Sequence, residues 1–174
     1  MVDWEDIQKT HGQTVWAVAY RILAHEEDAR DCFQEVFLQA IRLPNVDLIT
    51  NWGAFLRWLA TRRAIDLLRT RRRQRTIALA DQELTASGSV SGTVELFETI
   101  EAVRQELTRL PESQATAFWL FSVEGLNYQE IADHTQSNVN SVGLQIHRAR
   151  QQLKQRLRRL ADDCNDQKSS IAHE

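Results

Sequence analysis

The segment from Asn127 to Leu157, NYQEIADHTQSNVNSVGLQIHRARQQLKQRL, constrains the fold more than any other part of the chain. Asn127 followed by Glu130 has the spacing of a capping box, which marks the start of a helix. A short polar turn follows, and a second helix then carries apolar residues at spacings of three and four. The stripe predicted to face the core consists of Val139, Val142, Ile146, Ala149, Leu153 and Leu157. The pattern therefore predicts two helices joined by a tight turn.

The opposite side of the second predicted helix is polar and basic. Its outward residues are Asn140, Leu144, His147, Arg148 and Gln151. Amide, imidazole and guanidinium groups offer donors and acceptors for base edges and positive charge for phosphate. This arrangement is typical of a helix that reads the major groove of DNA. A helical hairpin with a solvated polar face gives the same pattern, so the segment alone leaves both interpretations open.

A stretch of low complexity divides the chain into two halves. Residues 78–93 read ALADQELTASGSVSGT and contain almost no large apolar residue, so they cannot build a core. The flanks are rich in Ala, Leu, Gln, Glu and Arg, which favour helices, and the fold class is predicted to be all-α. We expect two small helical domains at 1–75 and 94–161, a flexible linker at 76–93, and a short disordered polar tail at 162–174.

The net charge of −3 conceals a strong local concentration of arginine. Residues 42–75 hold nine arginines against only two acids, Asp47 and Asp66. Basic residues gathered in one segment indicate a polyanion that binds at a defined place. The acidic overall balance therefore does not argue against a nucleic-acid partner.

Several classes of protein are not supported by the sequence. Neither a phosphate-binding loop, a metalloprotease motif nor a nucleophile elbow is visible, so we expect no enzyme. The two cysteines, Cys32 and Cys164, are interpreted as free thiols, and no cluster has metal-ligand spacing, so neither metal nor cofactor is expected. No stretch reaches the roughly 20 apolar residues of a membrane span. The polar N-terminus does not resemble a signal peptide, which predicts a cytoplasmic protein without membrane insertion.

Three helices are predicted before the linker. The first runs from about Trp4 to Leu23, and an acidic break at 25–28 precedes the second, which ends before Pro44. The first is predicted to bury Ile7, Val15, Val18, Ala19 and Ile22, and the second to bury Phe33, Val36, Phe37 and Ala40. On the outer side of the second helix lie Asp31, Gln34, Glu35, Leu38 and Arg42. Charge around an apolar centre suits a protein-binding surface, and a solvated face with one stray leucine is the alternative.

The third helix is predicted to start near Asn51. Its second side carries Trp58, Ile65 and Leu68 together with arginines, so this helix either is buried on two sides or exposes aromatic and basic groups together. Aromatic rings beside guanidinium groups form a stacking surface for unpaired bases, but for Trp58 taken alone core packing is the preferred interpretation. The run RTRRRQR at 69–75 is interpreted as a phosphate contact.

Taken together, these segments resemble the extracytoplasmic-function group of bacterial sigma factors, the promoter-recognition subunits of RNA polymerase. ARDCFQEVFLQAIR resembles that family's core-binding helix, FLRWLATRRAIDLLRTRRRQR its −10 element helix, and LPESQATAFWLFSVEGLNYQEIADHT with VNSVGLQIHRARQQL its −35 helix-turn-helix. The resemblance implies a region 2-like bundle before the linker and a region 4-like helix-turn-helix after it. It further implies core RNA polymerase and promoter DNA as partners, and it allows an anti-sigma factor.

The resemblance also implies roles for individual residues. The polymerase clamp would meet Asp31, Gln34, Glu35 and Leu38. The −10 element would meet Asn51, Trp52, Arg57, Arg62, Arg63, Arg69, Arg71, Arg72 and Arg73, with the loop 44–51 placed where the family captures a flipped base. The −35 element would be read by Asn140, Ser141, Leu144, His147, Arg148 and Gln151.

Some residues depart from the family pattern. Gly143 and Gln145 stand where basic residues are usual, and Gln136 stands where a glycine usually marks the turn. His134 and Thr135 replace residues that are normally apolar. These departures leave two other hypotheses open: a degenerate sigma-like module that binds only protein, and a stand-alone helix-turn-helix regulator that would need its own dimerisation element.

Overall fold

The computed structural model describes residues 2–81 and 94–171, with side chains described for 2–74 and 101–159. Within these residues the chain forms seven α-helices and no strand, as the all-α prediction requires. The helices are α1 (Trp4–Leu23), α2 (Glu26–Ile41), α3 (Trp52–Asp81), α4 (Val94–Arg109), α5 (Glu112–Ser122), α6 (Tyr128–Thr135) and α7 (Val139–Ile171). A single 3-10 turn, Val46–Leu48, lies between α2 and α3.

The first helix follows its apolar pattern closely. The Asp3 carboxylate accepts hydrogen bonds from the backbone N–H groups of Glu5 and Asp6, both at 3.1 Å, and so caps α1. The helix ends where Ala24 adopts a left-handed conformation with φ of 50°. All five residues predicted for its buried stripe are buried, which confirms the prediction.

The second helix begins earlier than expected. Residues 25–28 were predicted as a break, but His25 caps α2 and the acidic residues 26–28 form its first turn. Carboxylates are favoured there because the N-terminal end of a helix carries partial positive charge. Val36, Phe37 and Ala40 are buried as predicted, and Phe33 is partly buried.

The third helix is buried on two sides, which decides between the two alternatives left open by its sequence. Asn51 caps it, since the Asn51 Oδ1 accepts a hydrogen bond from the N–H of Ala54 at 3.0 Å. Its middle packs against α1 and α2 on one side and against α5 and α6 on the other. The helix continues to Asp81, into the segment predicted as linker, and residues 82–93 of that segment lie outside the described part.

The C-terminal half contains the predicted pair of helices with their turn. Asn127 and Glu130 form the complete capping box, with hydrogen bonds of 3.0 and 2.8 Å between each side chain and the other residue's backbone N–H. Val142, Ile146, Ala149 and Leu153 are buried as predicted. Val139 is not: it is 37% exposed, because it opens α7 at the edge of the packed layer.

The last helix corrects the prediction of a disordered tail. The backbone of α7 is helical to Ile171, so most of the predicted tail at 162–174 belongs to the helix, and 172–174 lie outside the described residues. Composition suggested disorder, but adding a residue to an existing helix adds a hydrogen bond without a new nucleation step. A long helix anchored through its first turns therefore extends into polar sequence.

The two halves share buried apolar side chains. One cluster joins the core of α1, α2 and α3 to Leu107, Leu110, Ala115 and Trp119, which belong to the C-terminal half. A second cluster joins Ala54 of α3 to the centre of the α5–α7 unit. Two recognisable units are thus packed together through α3. None of the helices described for 2–81 and 94–171 combines the length and apolar character needed to cross a bilayer.

Candidate nucleic-acid and protein interfaces

The outer face of α7 is open to solvent opposite its buried stripe. Five of the six residues predicted to read DNA are exposed, and Ser141 is half-buried; the exposed ones are Asn140, Leu144, His147, Arg148 and Gln151. The backbone N–H of Ser141 is capped by Asn138 Oδ1 at 2.8 Å. The first turns of α7 therefore present amide, imidazole and guanidinium groups on one continuous face.

The turn before this face has a fixed backbone geometry. Gln136 ends α6 in the left-handed region with φ of 52°, a conformation that glycine adopts without strain. The hydroxyls of Thr135 and Ser137 form a hydrogen bond of 2.8 Å across the turn. A Cβ on Gly143 would lie 3.5 Å from the Tyr128 ring, an ordinary contact, so close packing does not force glycine there.

The outer face of α2 is the candidate protein interface. Asp31, Gln34 and Leu38 are exposed, as predicted, and Leu38 exposes 49% of its surface. Ile41, one turn further on, exposes 50% and enlarges the apolar centre. Glu35 is half-buried because its carboxylate is ion-paired with Arg63 of α3. The fold therefore joins one residue predicted to meet protein with one predicted to meet DNA.

The arginines of α3 fall into two groups. Arg57 and Arg73 have no ionic or hydrogen-bonding partner within the described residues, so their guanidinium groups are available to a phosphate. The other arginines of α3 whose side chains are described are held by the chain itself. Arg63 pairs with Glu35 and Arg71 with Asp28, both within the N-terminal half.

Three arginines of α3 reach into the C-terminal half. Arg62 Nε donates to Glu112 Oε1 at 2.8 Å, and Arg69 donates to the Leu110 carbonyl at 2.7 Å. Arg72 donates to the Thr108 hydroxyl at 2.8 Å. The structure thus brings the predicted −10 arginines onto one helix but not onto one free surface.

The residues predicted to border a base pocket have structural contacts here. The Asn51 side chain caps α3 as described above. Trp52 is half-buried and packs edge-on against the rings of Trp4 at 5.4 Å and Phe55 at 5.9 Å. The loop before them, which contains the 3-10 turn, exposes Leu48 to 76%.

Three titratable groups among the residues with described side chains have shifted pKa values. Burial raises the pKa of the Cys32 thiol to about 12, which makes it a poor nucleophile at neutral pH. Burial, and then the nearby Glu112, raise the pKa of Asp66. Burial lowers the pKa of His134, against the opposing effect of Asp133 and Glu130. The described residues contain no group of three or more His, Cys, Asp or Glu side chains arranged to hold a metal.

The sequence did not predict several ion pairs and hydrogen bonds of the C-terminal half, some within it and some to the N-terminal half. Arg21 pairs with Glu124 at 3.2 Å, and Arg104 donates to the Arg21 carbonyl at 3.0 Å. Glu106 is 1% exposed and pairs with arginines of α4 and α7, including Arg156 at 3.2 Å. Of these residues, only Glu106 could have been noticed in the sequence. It adjoins Leu107 and precedes Leu110, so the pattern places an acid at the edge of an apolar stripe.

Comparison with known proteins follows the same division of the chain. Residues 7–74 match the family described as Sigma-70 region 2, and residues 100–153 match Sigma-70, region 4. The RNA polymerase sigma-H factor of Pseudomonas aeruginosa is 31% identical, with 80% of this chain and 78% of that protein covered. The ECF RNA polymerase sigma factor SigE of Mycolicibacterium smegmatis is 28% identical over 88% of this chain, which spans 61% of that relative's length.

A solved structure has the same fold. The sigma factor RpoE from Bartonella quintana, crystallised in complex with the anti-sigma factor NepR, superposes with a TM-score of 0.56 at 19% identity. The superposition covers 90% of this chain and 97% of that one. At this identity the likeness establishes a common arrangement of helices.

Proposed function

The chain belongs to the extracytoplasmic-function group of the sigma-70 family of transcription initiation factors, and from that premise we propose that it binds core RNA polymerase and directs it to promoters by contacting −10 and −35 elements. The observation that supports this best is the outer face of α7, the second helix of the helix-turn-helix. Five residues predicted to read bases are exposed together on this face, and a capping box begins the helix before it. We further propose that the protein acts in the cytoplasm without catalysing a reaction. An anti-sigma factor is a further proposed partner, since the solved relative was crystallised with one.

The proposed polymerase contact is the α2 surface formed by Asp31, Gln34, Glu35 and Leu38. An exposed leucine with polar neighbours suits the centre of an interface, because apolar burial supplies affinity and the polar rim fixes the register. Gln34 and Leu38 are exposed, so we expect their substitution to leave the fold intact. Glu35 is a poorer choice for a test because its removal also leaves Arg63 without its partner.

We expect the double substitution Gln34→Ala and Leu38→Ala to weaken assembly with core polymerase by roughly tenfold or more, the effect of losing one interface anchor. Assembly is measured by titration of the full chain against core enzyme, with circular dichroism confirming that the helices remain. Lys9→Ala, on the exposed side of α1, is the control and should have no effect. Equal affinity of the double variant and the wild type would refute the α2 contact.

The proposed −35 contact is made by Asn140, Ser141, Leu144, His147, Arg148 and Gln151. Arg148 is exposed, and its planar fork suits guanine or phosphate. Gly143 and Gln145 add no charge to this surface, so we expect weak binding by this half alone. Holoenzyme would compensate, because contact at the −10 element makes −35 binding an intramolecular step.

We expect Arg148→Ala to cost about 1–3 kcal/mol at one position of the −35 site in transcription from a randomised promoter library. Arg150→Ala is the matched control, since Arg150 lies on the other side of α7 with its guanidinium over the Phe121 ring at 5.0 Å. Unchanged −35 preferences in both Arg148→Ala and Asn140→Ala would favour the degenerate protein-binding module. Promoter binding by the chain without polymerase would favour the stand-alone regulator.

The proposed −10 contact uses α3 and the loop before it. Its residues are Asn51, Trp52, Arg57, Arg62, Arg63, Arg69, Arg71, Arg72 and Arg73. Each phosphate contact should lower log affinity by about 0.7–0.9 for a tenfold rise in salt. Arg57 and Arg73 are free to make such contacts in the structure as it stands, whereas the other arginines must first leave the partners described above.

A further inference from the structure

A cavity of about 480 Å³ lies between α1, α3 and α4. Small-molecule sites in proteins usually have volumes of roughly 300–1,000 Å³, so this cavity is large enough for a ligand. Leu23, Ala24 and Leu68 supply its apolar lining. Its polar lining includes one acid and three arginines: Glu101, Arg71, Arg72 and Arg104.

Two of the three arginines are held in position by the chain itself. Arg104 donates from Nε and Nη2 to the Arg21 carbonyl, at 3.2 and 3.0 Å. Arg72 Nη1 donates to the Thr108 hydroxyl at 2.8 Å and to the Gln105 carbonyl at 3.3 Å. A guanidinium group that is already oriented loses little conformational entropy when it binds an anion.

The acids near this cavity do not neutralise it. Asp28 pairs with Nη1 of Arg71, and the other nitrogens of that guanidinium have no partner within the described residues. The Glu101 carboxylate lies 3.5 Å from Arg104 Nη1, and its side chain is 49% exposed. Such an exposed pair is weak, so a phosphate can replace the Glu101 carboxylate beside Arg104.

A second cavity, of about 680 Å³, shares Arg72 with the first. It adds two arginines to the lining, Arg69 and Arg73. Together the two cavities are lined by five arginines and two glutamates, and one of these glutamates, Glu112, is paired with Arg62. A local excess of guanidinium groups suits consecutive phosphates, because each guanidinium can offer paired N–H donors to phosphate oxygens.

We propose that these cavities form a binding site for a nucleoside polyphosphate, with the phosphates on the arginines and the nucleoside against Leu23 and Leu68. The apolar lining favours this ligand over an inorganic phosphate chain, because the nucleoside gains from burial there. Binding itself does not depend on the proposed function. One consequence rests on it: Arg71 and Arg72 are also proposed −10 contacts, so a bound nucleotide would compete with promoter phosphate.

Calorimetric titration of the full chain tests the ligand. The probes are ATP without Mg²⁺, inorganic tripolyphosphate and adenosine, at one ionic strength because phosphate binding depends on salt. We expect ATP to bind about fivefold or more tightly than tripolyphosphate, since only ATP brings apolar surface to Leu23 and Leu68. Adenosine should bind more weakly than ATP, since it has no phosphate for the arginines.

Two variants change the charge of the cavity in opposite directions without touching a residue of a proposed interface. Arg104→Gln should weaken ATP binding by roughly tenfold or more, because a charged hydrogen-bond donor is lost. Glu101→Gln should tighten it by about twofold to fivefold, because Arg104 is no longer shared with a carboxylate. The controls are Arg30→Gln and Glu5→Gln, which remove the same charges from exposed positions that do not line either cavity and should match the wild type.

Arg104→Gln also loses the hydrogen bonds to the Arg21 carbonyl, so circular dichroism and thermal denaturation accompany it. Glu101→Gln leaves those bonds in place and is the independent test. No binding by the wild type at millimolar ATP, or equal affinity of Glu101→Gln and Glu5→Gln, overturns the site. Tripolyphosphate that binds as tightly as ATP overturns the nucleoside contact, and adenosine that does so overturns the phosphate contact.

Fluorescence anisotropy with a forked −10 probe tests the consequence for promoter binding. At ten times its dissociation constant, ATP should weaken probe binding by about threefold to tenfold in the wild type, and much less in Arg104→Gln. If ATP binds in the calorimeter but does not affect the probe, while Arg57→Ala weakens probe binding, the competition is overturned and the proposed −10 contact stands. If Arg57→Ala has no effect on the probe, the proposed −10 contact fails, and calorimetry still decides the nucleotide site.

Discussion

At the scale of single residues, the environment of a side chain decides its chemistry more than its type does. Cys32 is buried and its thiol is directed at the Ala60 carbonyl at 3.9 Å, so a potentially reactive group is inert. The His134 ring packs against the rings of Phe55 and Trp58, and burial there favours its neutral form by lowering its pKa. The charged groups that act on that imidazole are Asp133 and Glu130 on α6 itself, and both oppose the effect of burial.

His134 makes the stability of the protein sensitive to pH in a defined direction. In the unfolded chain its pKa is expected near the ordinary value of 6.5, and in the folded protein burial lowers the pKa below that value. The packing of the neutral imidazole therefore contributes fully to stability above pH 6.5, and its contribution declines as the pH falls from there through the lowered pKa. Unfolding should accordingly become easier in mild acid.

We expect the free energy of unfolding to fall between about pH 7.5 and pH 5.5 more in the wild type than in His134→Phe. The difference between the two free energies, measured by urea denaturation, is the quantity to follow, because it removes the pH dependence common to both proteins. A difference that stays constant over this range would show that the titration of His134 is not linked to folding.

At the scale of helices, sequence patterns predicted the structure correctly wherever it is determined by interactions between residues close together in the chain. The capping box at Asn127, the stop of α2 before Pro44 and the buried stripe of α1 all depend on residues a few positions apart, and all were predicted. The tail was predicted wrongly because composition takes no account of the anchored helix that precedes it. Val139 was predicted wrongly for a different reason. Periodicity gives the face on which a residue lies, but not whether a neighbour covers that part of the helix.

The α6–α7 turn offers a test at this scale. Gln136 has a positive φ, which costs a residue with a Cβ about 1–2 kcal/mol more than glycine. Glycine loses more backbone entropy on folding, so we expect Gln136→Gly to stabilise the protein by a net amount of up to about 1 kcal/mol. Urea denaturation measures the change in the free energy of unfolding.

Gln129→Gly is the control for this substitution. Gln129 lies within α6 in an ordinary helical conformation, so the same change of residue should destabilise by about 1 kcal/mol. We therefore expect the free energy of unfolding to rise with Gln136→Gly and to fall with Gln129→Gly. Equal destabilisation at both would mean that the left-handed conformation of Gln136 carries no strain.

At the scale of the whole molecule, the sequence predicted two units but not their contact. Helical periodicity predicted that Trp58 and Ile65 lie on a second side of α3, and it left open whether that side is buried. The helix that covers it is determined by contacts between residues far apart in the sequence, such as Arg62 with Glu112, which no local pattern specifies. Periodicity placed most residues of the proposed α2 and α7 surfaces, family resemblance supplied their partners and most of the −10 residues, and all these roles remain predictions.

The shared core predicts how the molecule unfolds. Leu107 of α4 is 2% exposed and belongs to the cluster that also contains the core of α1–α3. We expect Leu107→Ala to lower the free energy of unfolding by about 2–5 kcal/mol, as for other buried leucines. Because the cluster spans both halves, helix loss and tryptophan fluorescence should shift together.

Leu144→Ala serves as the comparison, since Leu144 is 48% exposed and should change stability by less than about 1 kcal/mol. If Leu107→Ala splits the denaturation curve into two transitions and leaves the first half at its original midpoint, the halves do not fold as one cooperative unit. A single shifted transition is the outcome expected from a shared core.

The ion pair between Glu35 and Arg63 joins the proposed polymerase surface to the proposed DNA surface. The Glu35 carboxylate cannot pair with Arg63 and bind a second protein at full strength at the same time. A polymerase clamp that engages Glu35 would therefore release Arg63 toward promoter phosphate. By thermodynamic reciprocity, promoter phosphate that engages Arg63 would raise the affinity for polymerase by the same factor. A single side-chain contact would then make each of the two ligands an effector of the other.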